Sequence, residues 1–301
     1  MAISTVRAQV NGTWHTLAYD SASGAYKATI TAPGQTSYNQ SGGYYNVTIE
    51  ATNTAGTKGT ANATTLTGLQ LVVKEKVAPT ITILSPTNSA FVTNNKQPVV
   101  FNIVDESGGS GIKLSTLVVK QDGTAVASSA VATTAITNGY SVTYTPASAL
   151  SDGSHTVTIT VSDNDGNAAT AKSTTYTIDT VPPTLNITAP ADNLVTATAS
   201  LTVSGKTNDS TSSPVTITMT LNGTAQGTIS VATDGAFSKA VTLIEGSNTI
   251  VVTAKDAAGK TTSVTRKVTL DTSIPKVTSA TVSPNPVDAG ATMVISVVIQ
   301  G

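Results

Sequence analysis

Chemistry in this chain can be sought first in its acids, because seven of them fall at repeating positions: Glu75, Asp105, Asp163, Asp165, Asp179, Asp209 and Asp256. Glu75 and Asp179 each stand four residues before a proline, Pro79 or Pro183. Asp105 opens the turn-rich run VDESGGSG with Glu106 beside it, and Asp163 and Asp165 lie in SDNDGN. In a β-sandwich of the strand order argued below, the loop after the second strand and the last hairpin turn share the end at which the chain runs into the domain. Glu75, Asp105, Glu106, Asp163 and Asp165 then gather at that end of one domain, and Asp179, Asp209 and Asp256 at the same end of the next. A hard cation such as Ca2+ takes about six to eight oxygen ligands. These carboxylates, with loop carbonyls and water, therefore form candidate calcium sites that would stiffen the links between domains, although no cofactor is required. The competing reading is plainer. Asp and Asn start turns, Asp163 and Asp256 do no more than open their hairpins, and the other acids are solvated.

Nucleophilic and redox chemistry find no foothold. The 301 residues include no cysteine, which removes disulfide scaffolds, thiol catalysis and cysteine-ligated zinc. Of the two histidines, His155 shares the inward parity of Val157 and Ile159, and His15 lies in the short alternating run TWHTLAY. Both read as structural, with no third group to orient a base, so the chain is expected not to be an enzyme. A net charge of −1 with 11% charged residues gives no basic footprint for nucleic acid, and no apolar run is long enough for insertion into a membrane. One part of the chain differs. Residues 1–76 hold six of the 12 aromatics, and Trp14, Tyr38 and Tyr44, beside the polar run GQTSYNQSGGYY, form a candidate glycan-binding face. Against that, Tyr26 aligns with Phe237 behind the matching glycines Gly24 and Gly235, which places Tyr26 in a core.

Strands must position these side chains. Threonine alone supplies 57 of the 301 residues, and such β-branched density suits a pleated, half-buried surface. Three runs repeat: GYYNVTIEATNTAG from Gly43, GSHTVTITVSDNDG from Gly153 and GSNTIVVTAKDAAG from Gly246, each with glycines 13 apart. Val47, Ile49 and Ala51 align with Val157, Ile159 and Val161 and with Ile250, Val252 and Ala254, alternating with polar neighbours, so one face is core. Each unit also carries a two-residue hairpin turn, VNGT at Gly12, QDGT at Gly123 and LNGT at Gly223. Short strands at this spacing, with junctions at Pro79, Pro183 and Pro275, read as antiparallel sandwiches.

The runs LSDGSHTVTITVSDNDGNA and LIEGSNTIVVTAKDAAGK, with the DTVPPT junction, resemble the bacterial Ig-like modules found in tandem on surface adhesins and in phage tail proteins. The resemblance covers essentially the whole chain and implies an all-β protein, with tandem immunoglobulin-like β-sandwiches in a rod. Some such adhesins hold calcium between domains, which the resemblance extends to the loop and linker acids. In the immunoglobulin pattern a tyrosine precedes the second cysteine by two residues. Here Tyr45, His155 and Asn248 hold the first place, and Val47, Val157 and Ile250 replace the cysteine. The junctions divide the chain into an incomplete unit at 1–76, domains at 77–180 and 181–272, and a strand pair at 273–301 that reads as the first strands of a further unit. The complete units need 44 and 40 positions from their junction proline to the hairpin glycine, whereas 26 follow Pro275 and only 11 residues precede Gly12. The C-terminal strands of one chain are therefore expected to complete the N-terminal sandwich of another by head-to-tail exchange with a copy of itself. The alternatives are a stretch of a longer array, or a strand pair that docks elsewhere.

The function expected is structural or adhesive: a phage virion component, tail- or baseplate-associated, that mediates self-assembly or attachment to the bacterial surface. Its partners would be other virion proteins or bacterial surface glycans. The setting rests on the likeness to tail modules and on a start at Met1 without the basic and apolar stretches of a secretion signal. The alternative is a bacterial surface adhesin, or a glycan-binding accessory module of a longer secreted protein.

Overall fold

The computed structural model describes residues 2–300, and strands supply almost all of its regular structure, as the excess of β-branched residues requires. The chain groups into two compact units, Met1–Ile178 and Asp179–Gly301. No helix among the described residues is long and apolar enough to cross a membrane.

The first unit begins with β1 (Ile3–Val10), β2 (Thr13–Asp20), β3 (Ala25–Lys27), β4 (Tyr45–Asn46), β5 (Thr48–Asn53), β6 (Lys58–Ala61) and β7 (Gln70–Leu71). Five of these form one antiparallel sheet in the order β3-β2-β1-β5-β6, while β4 pairs with β7 alone. Asn11 and Gly12, at φ 47° and 79°, make the two-residue turn that VNGT predicts. The register sets Val6 opposite Leu17 and Ala51, and Ala8 opposite His15 and Ile49, so these side chains share one face. Arg7, Glu50 and Lys58 pair on the other. Val6, Ala8 and Val10 are buried, but Val47, Ile49 and Ala51 are only half-buried. Their alignment with the other repeats predicts a full core. The difference arises because this segment has no second large sheet to close over the face.

A complete sandwich follows, made of β8 (Thr80–Ser85), β9 (Ala90–Val92), β10 (Val99–Val104), β11 (Val118–Gln121), β12 (Thr124–Ala125), β13 (Val131–Ile136), β14 (Gly139–Tyr144), β15 (Gly153–Thr160) and β16 (Lys172–Ile178). One sheet has the order β13-β14-β10-β8 and the other β12-β11-β15-β16-β9, with β9 parallel to β16. Period-two alternation sends Val99, Phe101 and Ile103 inward from β10 to meet Val157 and Ile159 of β15, and all five are fully buried. Each such side chain contributes about 1.5–3 kcal/mol of burial, which lets the domain close without disulfides.

The second unit repeats the plan with β17 (Thr184–Ala189), β18 (Leu194–Thr196), β19 (Ser200–Asn208), β20 (Thr216–Leu221), β21 (Thr224–Ala225), β22 (Ala236–Thr242), β23 (Gly246–Lys255) and β24 (Thr261–Leu270). Its sheets are β17-β19-β22 and β18-β24-β23-β20-β21. Val203, Ile250, Val252 and Ala254 are fully buried at its centre. Phe237 on β22 is in that core, whereas Tyr26, its aligned counterpart, is half-buried with its ring 5.2 Å from Tyr19. The expected core position of Tyr26 is thus corrected, because β3 pairs with β2 and not with a counterpart of β19. The chain ends in the hairpin of β25 (Lys276–Ser283) and β26 (Val294–Gln300), whose residues are all exposed.

Candidate metal centres

The first group of acids forms where the chain runs into the complete sandwich of the first unit. Glu75 lies on the extended segment between β7 and β8, and Asp105 and Glu106 leave β10 into the glycine-rich turn. Glu75, Asp105 and Glu106 each offer a carboxylate oxygen within 4.8 Å of the other two. Backbone donors hold the far oxygens: Gly111 N–H donates to Asp105 Oδ2 at 2.6 Å, and Ser110 N–H donates to Glu75 Oε1. Asp105 Oδ1, Glu75 Oε2 and Glu106 Oε2 are buried and accept from no N–H or hydroxyl group, and Asp105 as a whole is only 4% exposed. Gly109 makes room for them, since a Cβ there would lie 2.6 Å from Asp105 Oδ2 and 2.9 Å from Glu75 Oε2.

The charges respond to this crowding. A hydrogen bond to the Glu75 carboxylate, reinforced by burial and by Asp105, pushes Glu106 up to about 7. Burial works against a charged Glu75, but the hydrogen bonds from Glu106 and Ser110 outweigh it and hold Glu75 below the usual carboxylate range. The raised Glu106 and the lowered Glu75 thus favour one charge between them, and a divalent cation would compete with the Glu106 proton.

Asp163 and Asp165 stand outside this group. Asp163 is fully buried and spent on its own turn, its Oδ1 accepting from Gly166 and Asn167 N–H and its Oδ2 from the Asn167 amide at 2.7 Å. Asp165 faces the incoming chain instead, accepting from the Thr36 hydroxyl at 2.5 Å and from Glu75 N–H at 3.0 Å.

The second group sits at the start of the second unit and joins Asp179, Asp209 and Asp256, again within 4.8 Å. Asp179 accepts from Val181 N–H and from the Ser212 hydroxyl, and Asp209 Oδ1 accepts from Thr211 and Ser212 N–H, both at 2.8 Å. Asp256 Oδ1 accepts from Lys260 N–H at 2.8 Å, while its Oδ2 has no donor although the residue is 5% exposed. The contrast with Asp163 comes down to one position. Asn167 follows Gly166 and caps the second oxygen of Asp163, whereas Lys260 follows Gly259 and leaves that oxygen of Asp256 bare.

Unpaired carboxylate oxygens inside a protein are costly unless a proton or a cation joins them. An all-oxygen donor set without histidine or cysteine suits a hard ion such as Ca2+ rather than a soft one. Glu75, Asp105 and Glu106 would hold one ion, and Asp179, Asp209 and Asp256 another. Such an ion would neutralise the acids and tie the incoming segment to the loops of its domain.

The aromatics of the expected glycan face come from a strand and from a loop. Trp14 is 37% exposed, with the Arg7 guanidinium 4.3 Å above its ring. Tyr38 and Tyr44 belong to the 36–44 loop, and the ring contacts among the described residues are Tyr19–Tyr26 and His155–Tyr176. That loop is a brace. Thr36 and Ser37 are buried, Ser37 binds the Val73 backbone, and the Asn39 amide donates to Gly109 O at 2.7 Å beside the acids. No local spacing signals these contacts, because their partners are tens of residues away.

Residues 85–180 match the family described as bacterial Ig-like domain, and residues 183–272 match the family described as glucodextranase, domain B. No curated protein matches the chain. Among solved structures, the fibronectin(III)-like modules of Clostridium thermocellum CbhA are 18% identical, covering 63% of this chain and 93% of that one at a TM-score of 0.40. Sidekick-1 immunoglobulin domains 1–4 are 12% identical, covering 90% and 68% at a TM-score of 0.38. The mixed-linkage glucan utilization protein SGBP-B of Bacteroides ovatus is 16% identical, covering 92% and 62% at a TM-score of 0.23. The chain therefore carries Ig-like domains in tandem, similar at 85–180 to the bacterial Ig-like domain family and at 183–272 to the glucodextranase domain B family.

Proposed function

We propose that the chain is a non-enzymatic, extracellular accessory segment of a glycan-active protein. Its Ig-like domains space a neighbouring module and hold to glycan, with a hard cation at each group of acids fixing the segment that leads into a domain. The observation that carries this reading is the direct succession of a bacterial Ig-like domain and a domain named for a glucodextranase. Both families favour it over the virion setting expected from the sequence. Within the chain, Trp14 is the aromatic best placed for a sugar ring, on the charged face of its sheet beside Arg7 and Glu50.

Affinity electrophoresis of the full chain through gels containing soluble α- or β-glucans tests this, with release of reducing ends followed in parallel. Retardation by at least one glucan, weakened by Trp14→Ala, and no release of reducing ends are expected. Unretarded migration through every glucan removes the glycan-holding role, and release of reducing ends overturns the non-enzymatic one.

A further inference from the structure

Two surfaces of this chain are left open in complementary ways. The first is the β25–β26 hairpin. Its register sets Val277 with Ile299, Ala280 with Val297 and Val282 with Ile295 on one face, and Ser279 with Val298, Thr281 with Ser296 and Lys276 with Gln300 on the other. One face is wholly apolar, yet all of these residues are exposed. A two-stranded sheet with a bare apolar face is marginal in water and needs a covering layer.

The second surface is the segment 25–31, AYKATIT, which repeats the AFSKAVT of β22. All seven residues of β22 pair with β19, from Ala236 opposite Lys206 to Thr242 opposite Ser200, and Phe237 and Val241 are buried. In the first segment Tyr26 and Ile30 hold the places of Phe237 and Val241 but are only half-buried, and residues 28–31 belong to no strand. The strand that β22 would need there is the counterpart of β19. Leu17, Ile49 and Ala51, on the face such a strand would help to cover, are half-buried as well.

We infer that β26 of a second copy of this chain adds antiparallel to residues 25–31, in the place β19 takes against β22, and lays the apolar face of its hairpin over Leu17, Ile49 and Ala51. The hairpin is the right piece for this place. Its two strands are joined as β8 and β10 are, and as β17 and β19 are, and in both complete sandwiches that pair faces the sheet whose counterpart here is β2-β1-β5-β6. β25 occupies one edge of β26 and leaves the other free. Strand addition of this kind takes its affinity from backbone hydrogen bonds and its register from alternate side chains. Because the two surfaces differ, the contact is heterologous and propagates head to tail.

Sedimentation of the full chain over two decades of micromolar concentration is the test. The average mass is expected to rise with concentration beyond that of one chain. Two variants should each hold it at one chain at every concentration, with unchanged far-ultraviolet circular dichroism. The double variant Ala28→Pro/Thr29→Pro removes N–H groups from a stretch outside every ladder, and Val297→Asp places a charge in the apolar face. A wild-type chain that stays monomeric throughout, whether its hairpin is bare or folds onto its own chain, overturns the inference. Association that the proline variant leaves unchanged also overturns it, since the contact would then lie elsewhere.

Discussion

His155 shows how one side chain can be structural and still report on pH. It is buried, with Nδ1 2.7 Å from Asp122 Oδ2 and Nε2 2.8 Å from Ser151 O. Burial alone would lower its pKa, but Asp122 and the Ser151 carbonyl raise it above 6.5, and His155 in turn holds Asp122 below its usual value against burial. The histidine's contribution is complete below its unfolded value and is lost as pH rises through the raised folded one. The aspartate's is complete above its unfolded value and is lost as pH falls through the lowered one. The pair is therefore most stabilising in mildly acidic solution. The melting temperature of the first unit is expected to fall between about pH 6 and about pH 8. In the second unit Asn222 and Asn248 hold the same two places, joined at 3.1 Å. Asp122→Asn with His155→Asn should make that fall shallower, leaving the part due to Glu106, as thermal scans across that range would show. At the acid groups, millimolar Ca2+ is expected to raise both melting temperatures and a chelator to reverse the effect. Asp256→Asn should abolish the response of the second unit alone. Equal melting with Ca2+ and with chelator would leave the acids as turn formers. At this scale the sequence grouped Asp179, Asp209 and Asp256 as they meet, and overfilled the first group with Asp163 and Asp165. That Asn167 takes Asp163 out of the site, and that Asp165 turns to Thr36 and Glu75 N–H, depends on side-chain directions that spacing does not carry.

Strands and turns were the most legible elements. Asn11–Gly12, Asp122–Gly123 and Asn222–Gly223 all take positive φ, as two-residue hairpin loops demand. The alternation in β15 and β23 placed Val157, Ile159, Ile250 and Val252 in cores, where they are fully buried. The same alternation misled for Ile49 and Ala51, because parity says which face a residue takes and not whether a second sheet covers it. Close approach of strands was equally hidden. A Cβ at Gly139 would lie 2.0 Å from Ile103 O and 2.8 Å from Val104 Cα, so this glycine is what allows β14 to lie against β10. Gly139→Ala is expected to cost about 3 kcal/mol in urea unfolding, at the upper end for overpacking. Gly123→Ala has open space around its Cβ and a φ of 83°, so it should cost only about 1–2 kcal/mol of left-handed backbone.

At the scale of the molecule, the two units have separate cores that share no residue. Phe101→Ala should lower the unfolding transition of the first unit by about 3–5 kcal/mol and leave the second unmoved, and Phe237→Ala should do the reverse. A calorimetric scan in which either variant shifts both transitions equally would show that the units unfold as one. The sequence by itself determined the class of fold, the repeat, the hairpin turns and the inward face of each repeated strand. Those follow from side-chain branching, period-two alternation and the backbone freedom of glycine and asparagine, all of which act within a few residues. Only the tertiary structure decided that Asp163 and Asp165 stand apart from the first group of acids, that the 36–44 loop braces the incoming segment beside it, and that Tyr26 lies outside any core. These depend on pairings between residues tens of positions apart, where a one-residue change of register or the lack of one sheet reverses the outcome.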